Sequence, residues 1–152
     1  MTNPADLPAA GARPLDGLVV IDLTAAWAGP MTTRSLAYLG ATVVKIESPL
    51  AMDPWRGTVR GATRDRFPDF EPGPRPYNRN ANFNTQNHDK LSIALNLKVP
   101  EAVDLVREMA RRADIVIANF SPGVLDRLGI GYAALQPENP SIIVIEMPAF
   151  GV

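Results

Sequence analysis

No cysteine occurs among the 152 residues, which excludes a disulfide framework, thiolate metal sites and a cysteine nucleophile. Histidine is nearly as scarce: His88 stands alone, so a histidine-rich metal centre is excluded and the residue reads as loop surface. Charge of one sign is missing too. The 15 basic and 16 acidic side chains leave a formal charge of −1, without the global field that binders of nucleic acid or anionic membranes use. The longest aliphatic runs, 18–21 and 142–145, fall far short of the roughly 20 apolar residues of a spanning helix. The opening MTNPADLPAAGARP lacks the basic start and apolar core of a secretory signal, so the expected location is cytoplasmic. Three motifs are absent as well: G-x-G-x-x-G, a Walker-type G-K-S/T and G-x-S-x-G. Dinucleotide, P-loop and hydrolase readings lose their main support with them.

What is present is a globular composition, 46% hydrophobic and 20% charged, suited to one domain or a piece of a larger one. Residues 1–13 read as a flexible N-terminal tail ahead of a domain over 14–152. Residues 18–23 (LVVIDL) form a β-branched run, 30–39 a helix opened by Pro30 and closed by Gly40, and 41–47 (ATVVKIE) a second strand. The alternation continues with SIALNL from Ser92, a helix over 100–113, DIVIANF, helical turns at 124–128 and 132–135, and SIIVIEM. Five continuous apolar strands with intervening helices predict an α/β fold, a Rossmann-like parallel sheet with helices on both faces. In the helix over 100–113, Ala102, Leu105, Val106, Met109 and Ala113 make the expected apolar face. Between the halves lies a long Pro/Arg/Asn-rich loop at 48–89, with Arg56, Arg60, Arg64, Arg66, Arg75 and Arg79. Its weak periodicity predicts a segment without regular structure, ordered by a partner chain or ligand.

Ligands of open parallel sheets bind beyond the carboxyl ends of the strands. Three segments meet that condition. In TAAWAGPM the small residues let a ligand approach, Trp27 offers a flat surface, and the helix start favours an anion. The alternative, that Trp27 packs in the core, is equally compatible with the spacing. In NFSPG, Asn119 offers hydrogen bonds and Phe120 a packing surface, with Arg127 one helical turn on. In NHDK, Lys90 precedes a strand as a point charge for phosphate, although lysine and arginine at element ends are more often solvated. Among carboxylates, Asp22 reads as an orienter of the first turn, and Asp53 and Asp114 as structural.

The ordered set PLDGLVVIDLT, AGP, LGATVVKIESP, NHDKLSIALNLK and PEAVDLVREMARRADIVIANFSPGVLDRLGIGYAALQPENPSIIVIEMPAFG resembles the N-terminal part of the class III coenzyme A transferases, the CaiB/BaiF family. The resemblance runs from Pro14 to the end, and its departures are Tyr38, Leu91 and the EMPAFG turn. It implies a Rossmann-like large domain, an interlocked homodimer, and transfer of coenzyme A between an acyl-CoA and a carboxylic acid. It also implies that Ala26, Trp27, Ala28, Lys90, Asn119, Phe120 and Arg127 contact coenzyme A. The family's nucleophile is an aspartate that forms a mixed anhydride, expected some tens of residues beyond the strand near Met147. No residue here matches it, so no catalytic residue and no metal ligand is assigned. Two alternatives stand beside the transferase fragment: a non-catalytic module that binds coenzyme A or supports an assembly, and a fragment of an α-methylacyl-CoA racemase of the same family.

Overall fold

The computed structural model describes residues 12–56 and 64–151. Five strands, β1 (Val19–Leu23), β2 (Thr42–Glu47), β3 (Lys90–Ala94), β4 (Ile115–Ala118) and β5 (Ile143–Glu146), form one parallel sheet in the order β3-β2-β1-β4-β5. The chain thus leaves β1 in one direction for β2 and β3 and returns on the other side for β4 and β5. That reversal is a topological switch point, where such sheets bind ligands.

Both faces are covered, as the uninterrupted apolar strands require. One face packs Val20, Val43 and Ile117 against Ala37 of α1 (Ala28–Tyr38). The other packs Ile21, Leu23 and Val116 against α3 (Pro100–Ala110), with Leu125 of α4 (Val124–Leu128) and Leu135 of α5 (Tyr132–Leu135). Strand alternation separates the two sets. The helix α1 starts two residues earlier than the sequence suggests, which places Gly29 and Pro30 inside its first turn. A Cβ on Gly29 would lie 2.3 Å from Thr24 Cβ, so only glycine lets the helix approach the turn after β1. Its end is a Schellman turn: Gly40, at φ +117°, donates to Ala37 O and Ala41 to Leu36 O.

Three expectations need correction. The strand expected from Ser92 begins at Lys90 and ends at Ala94, so residues 95–98 form a turn at its carboxyl end. The helix expected over 100–113 stops at Ala110, and its inward face is turned: Val106 and Ala110 are buried, whereas Leu105 is 42% exposed. The segment 48–89 is not featureless, since it contains single helical turns at Pro54–Arg56, Arg64–Arg66, Pro68–Phe70 and Pro76–Asn78 and the short helix α2 (Ala81–Gln86). What orders much of it is this chain itself. Arg56 reaches both carboxylate oxygens of Glu47 on β2 and covers the Phe83 ring at 3.7 Å, and Asn80 caps α2 by accepting from Asn82 N. Of the expected tail, residues 1–11 lie outside the described residues; within it, the Arg13 N–H donates to Asp16. No helix among the described residues is long and apolar enough to cross a membrane.

Candidate functional site

The carboxyl ends of β1 to β4 surround a cavity of about 280 Å³. Its walls are mostly apolar, with Leu23 from the end of β1, Leu95 and Leu97 from the turn after β3, and Phe120 from the segment after β4. A second cleft of about 300 Å³ shares Leu97, Lys98 and Leu128 with the first and adds Arg127 and Arg107. The first opening is mostly apolar, and the second carries three cations and one acid, Asp104, which lies 3.7 Å from Arg107. Together they match a ligand with a flat or aliphatic part and an anionic part.

Beside the cavity, the turn after β1 is held by side chains from four parts of the fold. Asp22, fully buried on β1, accepts from Thr24 N, Thr24 Oγ1, Thr33 Oγ1 on α1 and Lys90 Nζ at 2.5–3.0 Å. Lys45, the ladder partner of Asp22 on β2, donates to Thr24 O at 2.7 Å. Asn119 grips Ala25 twice, accepting from its N–H and donating to its carbonyl, both at 2.8 Å. Asp53 accepts from Ala26 N at 3.1 Å. Ala26 needs holding, because its φ of +64° is a left-handed conformation that L-residues other than glycine rarely adopt.

Burial and pairing oppose each other within this cluster, with different outcomes at its acid and at Lys90. Burial alone would raise the Asp22 pKa, but Lys45 and Lys90, with the Thr24 and Thr33 hydroxyls, outweigh it and hold the carboxyl below the usual range. Burial dominates at Lys90, whose pKa is lowered to about 8 even with Asp22 3.0 Å away. The neighbouring Lys45 charge pushes in the same direction.

The sequence points to seven contact residues, and the structure distributes them. Phe120 and Arg127 stand in the walls of the two adjoining openings. Trp27 is not a core residue: it is 57% exposed, and its ring meets Trp55 edge to face, with centroids 4.6 Å apart. Ala28 opens α1 at the surface. Ala26, Lys90 and Asn119 bond to this chain itself, Lys90 with Asp22, Pro30 O and Asn87 Oδ1 as acceptors. Lys45, Leu95 and Lys98 join the site without having been singled out, and Asp53, read as structural, bonds to its turn and lines its cavity. A lone lysine inside the β-branched TVVKIE strand is the signal that marks Lys45, because a buried ammonium requires a partner.

The sequence matches CoA-transferase family III over residues 15–152. It is 34% identical over 139 residues to a formyl-CoA:oxalate CoA-transferase of Rhodopseudomonas palustris (strain BisA53), covering 91% of this chain and 30% of that protein. A formyl-CoA:oxalate CoA-transferase of Streptomyces coelicolor is 36% identical over 141 residues, covering 92% and 31% respectively. Among solved structures, a CaiB/BaiF family protein of Brucella suis is similar with a TM-score of 0.74 and 38% identity, covering 89% of this chain and 33% of that one. Rv3272 of Mycobacterium tuberculosis is similar with a TM-score of 0.75 and 30% identity, covering 92% and 35%. The chain therefore spans about a third of the length of these relatives. A parallel α/β sheet, a cavity at its switch point and a family match over nearly all of the sequence lead to one assignment: the chain belongs to CoA-transferase family III.

Proposed function

We propose that this chain supplies the coenzyme A-binding part of an enzyme that moves coenzyme A between an acyl-CoA and a carboxylic acid. The observation that carries this reading is the pair of adjoining openings. The apolar one, with Phe120 in its wall, suits adenine or the pantetheine arm, and the one carrying Lys98 and Arg127 suits the phosphates. Arg127 comes from α4 and Lys98 from the turn after β3.

In the reaction, a carboxylate oxygen attacks the thioester carbonyl and expels coenzyme A thiolate, leaving a mixed anhydride. The thiolate attacks the enzyme's side of that anhydride and frees the donor acid. The acceptor carboxylate attacks the resulting enzyme thioester and expels the thiolate again, and the thiolate takes the acceptor acyl group and restores the carboxylate. The carboxylates around the cavity are already committed. Asp22 accepts four hydrogen bonds, Glu47 is bound in a fork by Arg56, and Asp53 accepts from two backbone N–H groups. This supports a division of labour in which these residues bind and orient coenzyme A and the nucleophilic aspartate comes from outside them. An interlocked homodimer and a cytoplasmic location belong to the same reading. The names of the relatives make formyl-CoA and oxalate the first donor and acceptor to try.

Calorimetric titration of the chain with coenzyme A tests the proposal. Saturable binding is expected, weakened about tenfold by Lys98→Ala or Arg127→Ala as a charge-assisted phosphate contact is removed. Absence of binding, or an affinity that neither substitution changes, refutes it.

A further inference from the structure

The turn after β1 and the segment after β2 each carry one of the chain's two tryptophans, Trp27 and Trp55. One carboxylate joins them. Asp53 Oδ2 accepts from Ala26 N at 3.1 Å and Asp53 Oδ1 from Trp55 N at 2.8 Å, while the two indoles meet at 4.6 Å with an interplanar angle of 79°. The Asp53 side chain is 2% exposed, with Lys45 Nζ 3.8 Å from Oδ2. Ala25 and Thr24 have their own restraints in Asn119 and Lys45, but the structure gives the left-handed Ala26 N–H to Asp53. Asp53 and Ala25 also line the apolar cavity.

We infer that Asp53 is a positioning residue: its carboxylate clasps the turn after β1 to the segment after β2, setting the wall of the cavity before a ligand arrives. The clasp is a property of this chain alone. Its consequence for affinity rests on the coenzyme A reading given above. A turn that is already in its bound conformation loses little freedom on binding, so releasing it weakens affinity without removing any ligand contact. Replacing the acid by an amide is informative, because the amide oxygen serves only one of the two N–H groups and its NH₂ confronts the other.

With two tryptophans in the chain, the exciton couplet of paired indoles in circular dichroism reports the clasp, while the amide bands separately report the fold. Trp27→Phe assigns the couplet by abolishing it. Asp53→Ala is expected to keep the amide bands, lose most of the couplet and bind coenzyme A about tenfold more weakly. Asp53→Asn is expected to fall between, with roughly half the couplet because one of two hydrogen bonds survives. A wild-type chain without a couplet, or Asp53→Ala retaining it, overturns the clasp. Loss of the couplet with unchanged affinity overturns the positioning role. Should Asp53→Ala lose its amide bands, Asp53→Asn decides, and a couplet equal to wild type then refutes the inference. If the wild-type chain binds no coenzyme A, the functional reading fails while the couplet still judges the clasp.

Discussion

The two faces of the sheet solve the same burial problem with different chemistry. The face covered by α3, α4 and α5 is closed by side chains such as Ile21, Val116, Leu125 and Ile130, all apolar and fully buried. The face covered by α1 also has an apolar patch, but toward the carboxyl ends of the strands it buries Asp22 and Lys45, reached by the buried Lys90 side chain from the amino end of β3. Hydrophobic packing is tolerant of small displacements, whereas a buried ion pair is stable only in good geometry with its remaining hydrogen bonds made. The charged arrangement is found where the fold must fix a backbone turn beside a cavity. The apolar arrangement is found where it must only hold layers together.

This contrast breaks most readily at Asp22. Asp22→Ala leaves the buried Lys90 ammonium without its ion-pair partner, while Lys45 keeps Asp53 3.8 Å away, and is expected to cost about 4 kcal/mol in urea unfolding, within the range for one-sided removal of buried pairs. A loss under about 1 kcal/mol would show that the cluster is effectively solvated, with the worth of a surface pair. On the opposite face, Leu125→Ala is expected to cost about 3 kcal/mol through lost transfer energy and a cavity. That loss should be the same at pH 6 and pH 9, since no titratable group is deleted.

The smallest expected effect is a slope, and it sharpens the distinction. Lys90 has a folded pKa of about 8, below the roughly 10.4 of an unfolded lysine. Between those values the unfolded chain binds more protons there, so this group's contribution to stability rises with pH. Asp22 behaves in the same sense at the acid end. Its pKa is lowered in the fold, so its contribution is complete above the ordinary carboxylate pKa of about 3.9 and is lost as pH falls through the folded value. Titration of the Lys90 amine followed by NMR checks the first statement, and a midpoint at the ordinary lysine value would contradict it.

Much of the sheet was legible in sequence because period and punctuation agree there. The turns at 124–128 and 132–135 were read to the residue, since Gly123, Gly129 and Gly131 bracket them. Phe120 and Arg127 followed from where strand ends lie. The bonds within the cluster were not legible, because they join residues far apart in the chain: Asp22 to Lys90 is a separation of 68, and Ala25 to Asn119 one of 94. Only the ladder register, which sets Asp22 beside Lys45, makes such pairs visible. Leu105 failed for a simpler reason. A helix of 11 residues carries Ala102, Val103, Val106, Met109 and Ala110 on a stripe that already fills its contact with the sheet, so another leucine a fraction of a turn away is left outside.

Among the described residues the outer strand β5 pairs only with β4, and its Ile143 is 55% exposed. A strand border of this kind can take a further extended segment into the ladder. The IIVIE stretch is unusually suited to recruit one, being β-branched and carrying a single charge. Pro140 and Pro148 fence it at both ends, and since proline cannot donate to a ladder, any lateral growth seeded there is confined to a few rungs.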